Sequence, residues 1–240
     1  MERAFVAARL RRAAAVAAVF CCMSAGAAQA ELRLPKIFTD HMVLQQDIPV
    51  AVWGWAHPGE TVQVSLLGKT ATAKAAADGK WSLNLPALKA SMTADAPATM
   101  TISVSNEKIP LKLKDVLVGE VWLASGQSNM NQATSGEAIK AANHPQIRLF
   151  TSNGFVPMTD ELNITVGWLP CSSETIVKVG HVEDQKTGRC RPFSEVAYHF
   201  AADIQKTLNV PVGIYHTSCG GSTAAAWTPA ASLDDFLSQY

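Results

Sequence analysis

The chain has 240 residues with 20 Lys and Arg against 20 Asp and Glu, and 48% of its residues are hydrophobic. Balanced charge without a basic run excludes a nucleic-acid-binding surface, and the hydrophobic share is that of an ordinary globular protein.

Residues 1–30 read as a secretory signal. Arg3, Arg9, Arg11 and Arg12 precede an apolar run from Ala13 to Met23, and Ala28-Gln29-Ala30 fits a small-residue cleavage site. The run falls short of the roughly 20 apolar residues of a membrane span. Cys21 and Cys22 follow Val19-Phe20 rather than the small residues of a lipoprotein signal. The expectation is an exported protein, periplasmic or extracellular, with no membrane association once cleaved after Ala30. Processing removes four of the 20 basic and one of the 20 acidic residues, leaving a net charge of −3 on 210 residues.

From Leu32 to about Leu113 the apolar residues alternate with polar ones. Val50, Val52 and Trp53 open a strand after Pro49, and His57-Pro58-Gly59-Glu60 is a turn. Val62, Val64 and Leu66 alternate, Asp78-Gly79 marks a hairpin, and Trp81, Leu83 and Leu85 alternate again. Met100, Ile102 and Val104 form a further strand, Ser105 to Lys108 turn, and Ile109, Leu111 and Leu113 return. Ala75 to Ala77 and Lys89 to Ala98 read as surface loops. Short, evenly spaced strands without helical periodicity predict an antiparallel β-sandwich over residues 31–114.

The pattern changes near Asp115. Val116-Leu117-Val118 and Val121-Trp122-Leu123-Ala124 make an almost unbroken apolar run, as in a strand buried on both faces of a parallel sheet. Ser194 caps a helix whose Val196, Ala197, Phe200, Ala201, Ile204 and Leu208 recur at three-and-four spacing, with Asn209 as its stop. Val210 to Tyr215 is the next buried strand. Residues 115–240 therefore read as α/β. The stretch supplies about three parallel strands and two or three helices, fewer than a doubly wound sheet needs to cover both faces. The α/β domain is expected to be incomplete, with its last strand an uncovered edge.

Of five cysteines, Cys171, Cys190 and Cys219 lie beyond the signal. Cys171 and Cys190 flank a polar stretch, and a disulfide between them is expected in an oxidising compartment, stabilising the fold by about 3 kcal/mol in the chain-entropy model, with three free thiols as the alternative. No Cys-x-x-Cys or His-x-x-x-His spacing supports a metal site.

Two segments could carry chemistry. Ser128 follows the apolar strand inside Ser125-Gly126-Gln127-Ser128-Asn129-Met130. A sharp strand-to-helix turn there would expose its hydroxyl at the carboxyl end of the sheet, where open α/β folds bind ligands, with backbone N–H groups of the helix start toward a developing negative charge. Read from pattern alone, a capping serine in a turn is the commoner explanation. The second segment is His216-Thr217-Ser218-Cys219-Gly220-Gly221-Ser222, whose paired glycines past a strand could present an N–H to an anion or simply turn the chain.

Together these segments carry a resemblance. Gly119-Glu120-Val121-Trp122-Leu123-Ala124-Ser125-Gly126-Gln127-Ser128-Asn129-Met130 is very close to a signature of the sialate O-acetylesterase family, a branch of the SGNH hydrolases. Val210 to Ile214, Ser218 to Ser222 and Ala226-Trp227-Thr228-Pro229 are similar to that family's second block. Leu34-Pro35-Lys36-Ile37-Phe38-Thr39-Asp40-His41-Met42-Val43-Leu44-Gln45 resembles the opening of the sandwich that precedes catalysis. The resemblance implies a β-sandwich followed by an incomplete α/β, SGNH-type, flavodoxin-like parallel sheet. It implies Ser128 as the nucleophile on an acetyl ester of sialic acid or a related acetylated sugar, xylan included. The N–H groups of Ser128 and of Gly220 or Gly221 would form the oxyanion hole, with Gln127 and Asn129 supporting the turn. Acyl transfer of this kind needs no cofactor. Cys219 stands where the family often has Trp.

A Gln-Gly-Glu block and an Asp-x-x-His, which the family uses to complete the site, do not occur in the sequence. His41, His57, His144, His181, His199 and His216 are the histidines available, and His216 alone is near the site by sequence. The expectation is a fragment that is nearly inactive by itself, with a non-catalytic glycan-binding or interaction protein as the alternative.

Overall fold

The computed structural model describes residues 32–90, 97–152, 167–180, 182–184, 189–229 and 231–233. The expected signal segment and His181 lie outside the described residues. No described helix is long and apolar enough to cross a membrane.

The chain begins with five strands, β1 (Val43–Gln45), β2 (Val50–Trp55), β3 (Thr61–Leu66), β4 (Lys69–Lys74) and β5 (Lys80–Leu85). Next come β6 (Ala98–Val104) and the 16-residue β7 (Leu111–Gly126). A short helix α1 (Gly136–Ala141) leads to β8 (Asn143–Thr151), followed by β9 (Leu169–Ser172), β10 (Val182–Asp184) and β11 (Arg189–Cys190). Helix α2 (Glu195–Leu208) and β12 (Val212–Ser218) follow. The result is a mixed sheet with few helices: eight strands, in the order β4-β3-β6-β7-β12-β8-β9 with β1 also on β7.

Period-two burial explains the first half. In β2, β3, β5 and β6 the apolar residues at alternate positions are buried and their neighbours face outward. β2 and β5 pair antiparallel as a separate two-stranded sheet. Their Val52, Trp81 and Leu85 share one core with Val64, Met100 and Ile102 of the large sheet. The Asp78-Gly79 turn is not a hairpin, because it joins β4 of the large sheet to β5 of the small one. The turn His57 to Glu60 crosses between the layers in the same way. Strand β4 escaped the sequence reading because Lys69-Thr70-Ala71-Thr72-Ala73-Lys74 buries no large apolar residue. Ala75, expected in a surface loop, is buried, with its N–H donating to the Glu60 carbonyl. Ile109 and Leu111 are exposed, so the returning strand is core-facing only from Leu113.

Strand β7 carries the chain from one environment to the other. Its first part pairs antiparallel with β6, Leu117 to Gly119 pair parallel with β1, and Glu120 to Gly126 pair parallel with β12. The change of partner falls at a bulge where Asp115 adopts φ 55°. Strand β12 is not an edge: it lies between β7 and β8, parallel to both. Among the described residues, the other side of Glu120 to Gly126 has no strand partner, an open edge besides those of the end strands β4 and β9. Trp122 and Leu123 there are 41% and 63% exposed, rather than buried on both faces as their apolar run suggests.

Helix α2 starts and stops where its caps dictate. Ser194 Oγ accepts from Ala197 N–H at 3.2 Å, and Asn209 takes the left-handed conformation. Its buried face is Ala197, Tyr198 and Ala201, whereas Val196, Phe200 and Leu208 are exposed. Phe200 instead meets Trp122 edge-on, with ring centres 5.1 Å apart.

Candidate active site

The site follows from strand register. In the parallel pair β7–β12, Glu120 lies opposite Val212 and Gly126 opposite Ser218, so both strands end at the same level. The segments that leave them, Gln127 to Asn131 and Cys219 to Ser222, are therefore neighbours at the carboxyl end of the sheet. They are joined directly: Cys219 N–H donates to the Gly126 carbonyl at 3.0 Å. A β-carbon on Gly220 would lie 3.9 Å from Asn131 Nδ2. Gly126, with φ 148°, and Gly221, with φ 79°, hold backbone conformations that L side chains rarely adopt.

Ser128 sits at the tip of the first turn and is exposed. Its hydroxyl donates to Gln127 Oε1 at 3.2 Å. The chain then bends sharply, with Asn131 N–H donating to the Gln127 carbonyl at 3.0 Å and Gln132 N–H to the Asn129 carbonyl at 3.3 Å. No helix begins at Ser128, contrary to the sequence reading; the next helix is α1 at Gly136. Any donors near the hydroxyl are thus turn amides and not a helix terminus. Among the described residues no group accepts from the backbone N–H of Ser128, Asn129, Gly220 or Gly221, and Asn129, Gly220 and Gly221 are exposed.

The turn is anchored from behind. Met130 packs against the core that contains Phe193 and Ala197, and its sulfur accepts from Ser194 Oγ at 3.5 Å. Thr134 N–H and Oγ1 both donate to the Phe193 carbonyl, at 2.8 and 2.7 Å, and Glu195 N–H donates to the Gln132 carbonyl at 2.8 Å. Residues on both sides of the α2 cap therefore fix the path that follows Ser128.

The other histidines are placed elsewhere. His216, the nearest by sequence, is 1% exposed; its Nε2 and Ser218 Oγ are 2.9 Å apart, and its ring meets Phe193 edge-on. It is turned into the core beneath the turns, whereas Ser128 faces solvent. His144 lies in strand β8, with Nε2 3.3 Å from the Tyr198 hydroxyl. His41 pairs with Asp115, and His199 is on an exposed face of α2.

The expected Cys171–Cys190 disulfide is absent. Cys171 carries a free thiol inside the core with Ile147, Ile176 and Phe193. Cys190 belongs to the β10–β11 pair, opposite Val182. Burial pushes the Cys171 thiol up to about 12. Among the described residues no three His, Cys, Asp or Glu side chains cluster as a metal site.

Asn131 gives no sequence signal of its own, and Ser222 and Trp227 stand in the sequence only as part of the resembling second block. Asn131 is visible only through the turn that brings it to Gly220. Ser222 and Trp227 are linked: Trp227 Nε1 donates to Ser222 Oγ at 2.8 Å, and Ser222 Oγ donates to the Cys219 carbonyl at 2.7 Å.

No family model matches the chain. Among characterised proteins it is similar to the sialate O-acetylesterases of Mus musculus, 30% identical over 215 residues, and Homo sapiens, 29% identical over 215 residues. Each match covers 84% of this chain but only 38% and 39% of those proteins. Among solved structures it is similar to a carbohydrate acetylesterase from Xanthomonas citri, with a TM-score of 0.69 and 35% identity, over 85% of this chain and 44% of that one. The chain is thus a relative of the sialate O-acetylesterases and of a bacterial carbohydrate acetylesterase, and it spans less than half the length of each.

Proposed function

We propose that this chain carries the nucleophile portion of an exported carbohydrate esterase that removes O-acetyl groups from sialic acid or a related acetylated sugar. The carrying observation is the exposed Ser128 beside the Gly220-Gly221 turn, held there by the Cys219 to Gly126 hydrogen bond. In this reading residues 31–114 are a β-sandwich, residues 115–240 belong to an SGNH-type hydrolase domain, and residues 1–30 direct export.

The chemistry is acyl transfer. Ser128 Oγ bonds to the acetyl carbon as its proton passes to a general base. The carbonyl oxygen takes the negative charge, and the N–H groups of Ser128 and of Gly220 or Gly221 receive it. Collapse of the intermediate breaks the bond to the sugar, whose oxygen takes a proton, and water then releases acetate from the acetyl-enzyme. Losing one such donor costs about 3 to 4 kcal/mol of transition-state stabilisation. Gln127, whose Oε1 accepts a hydrogen bond from the Ser128 hydroxyl in the resting site, and Asn129 shape the turn.

Among the described residues no histidine or aspartate contacts the Ser128 hydroxyl. The base in this proposal lies outside them, and without such a base Ser128 would turn over more slowly by on the order of 10⁴- to 10⁶-fold. The same observation favours a second reading, glycan binding without catalysis. A xylan acetyl ester is the alternative substrate.

Methylboronic acid tests the nucleophile without needing the base, because it forms the tetrahedral adduct that mimics an attacked acetyl group. Boron NMR of the full chain is expected to show an adduct that Ser128→Ala abolishes. An adduct unaffected by that substitution, or no adduct at all, refutes the esterase reading and leaves the binding one.

A further inference from the structure

We infer that Trp227 is the platform on which the sugar ring of the substrate stacks, positioned by Ser222 beside the oxyanion turn. The inference rests on the esterase reading above and assigns the side chain that recognises the sugar rather than the ester.

Trp227 ends a four-residue 3-10 turn, Ala224–Trp227, and its side chain is 40% exposed. The residues before it, Ala224, Ala225 and Ala226, are exposed and small, so nothing in that turn covers the indole. The indole therefore keeps a face available to a ligand.

The ring is nevertheless fixed. Its N–H is held at 2.8 Å by Ser222 Oγ, the same hydroxyl donates to the Cys219 carbonyl at 2.7 Å, and Cys219 N–H donates to the Gly126 carbonyl at 3.0 Å. Three hydrogen bonds therefore tie the indole to the residue two positions before Ser128. The turn is held further by Thr228, whose Oγ1 donates to the Ala224 carbonyl at 3.0 Å.

An indole with its polar edge satisfied presents an apolar plane, while the neighbouring glycine turn presents N–H donors. That pairing suits a ligand with one apolar face of C–H groups and a rim of oxygens, which is the chemistry of a pyranose. A plain acetate ester has no such face and gains nothing from the indole. Preorganisation by Ser222 spares the ring the ordering cost that a free exposed side chain would meet on binding.

The test uses the full chain and two probes: the methyl glycoside of a mono-O-acetylated sugar, followed by the indole N–H signals in ¹H–¹⁵N spectra, and methylboronic acid, which has no sugar. Trp227→Ala is expected to weaken glycoside binding roughly tenfold while leaving the Ser128 boronate adduct unchanged. Trp227→Phe should retain affinity within about threefold, and Ser222→Ala should fall between them. Glycoside affinity unchanged in Trp227→Ala overturns the inference, as does absence of glycoside binding in the unsubstituted chain. Equal loss of both probes also overturns it, because the ring would then merely support the turn. If the boronate adduct fails in the unsubstituted chain but glycoside binding still depends on Trp227, the nucleophile assignment falls and the platform stands.

Discussion

Arg148 of β8 grips Asp115 of β7 with both guanidinium nitrogens, Nη1 at 2.5 Å from Oδ2 and Nη2 at 3.0 Å from Oδ1. His41 Nδ1 approaches the same Oδ2 at 2.5 Å, and Arg148 itself is 3% exposed. The trio sits at the bulge where β7 leaves β6 and turns to its parallel partner, so it joins the three segments that meet there.

Breaking this pair from one side leaves a charge without its partner. Arg148→Met is expected to cost about 3 kcal/mol of stability, the low end for a buried pair because Asp115 retains some exposure. Urea unfolding of Arg148→Met, Asp115→Asn and the double variant checks it. The double variant should be less destabilised than the sum of the two singles; additive losses would mean that the bidentate contact contributes nothing beyond packing.

The same contact sets an acid limit. Burial alone would raise the Asp115 carboxyl, but hydrogen bonds and charge from Arg148 and then His41 outweigh it and hold the group below its ordinary 3.8. A carboxyl depressed in the folded state stabilises the fold fully above its unfolded value. That contribution is lost as pH falls below about 3.9 and through the folded value. Urea midpoints measured from pH 5 to pH 2.5 should therefore fall more steeply for the native sequence than for Asp115→Asn. Parallel curves would remove Asp115 as a source of the acid sensitivity.

The sequence made the first half of the chain readable because alternation in β2, β3, β5 and β6 is a local property. Which strand pairs with which is not local: the Asp78-Gly79 signal is a genuine turn, yet it connects two layers. Ser194 and Asn209 announced the ends of α2 through their capping chemistry. The face that α2 buries was misjudged, because Tyr198 lies inward while Val196 and Phe200 do not. At the site, Ser128 and the paired glycines stood out by resemblance. Asn131 did not, since its place beside Gly220 exists only once β7 and β12 end at the same level, and the resemblance that covers Ser222 and Trp227 says nothing of the hydrogen bond between them. The cysteine pairing failed for a related reason, as flanking a polar stretch says nothing about where a thiol points.

That last point has a chemical test. A thiol buried in the core and pushed up to about 12 is almost wholly protonated at neutral pH and shielded from reagents. Cys219 is half-buried beside the glycine turn. Brief treatment with iodoacetamide at pH 7.5 followed by peptide mass spectrometry should find Cys219 modified in the native protein and Cys171 only after denaturation. If Cys171 needs reductant as well as denaturant before it reacts, the disulfide exists after all and the packing around Ile176 and Phe193 must differ.

The apolar surface beside the site carries its own consequence. Leu123 is 63% exposed on a strand segment whose outer edge has no strand partner among the described residues, and Trp122 and Phe200 form an exposed aromatic pair. An apolar edge strand is a template for another copy, so the 240-residue chain is expected to self-associate as its concentration rises. A charge on the strand opposes edge pairing without entering a core, because the Leu123 side chain is mostly in water. Leu123→Lys should lower light scattering and raise the soluble fraction severalfold, with thermal stability changed by no more than about 0.5 kcal/mol, the usual range for a surface substitution. Scattering that stays the same in Leu123→Lys but drops in Phe200→Lys would move the sticky surface from the strand edge to the face of α2.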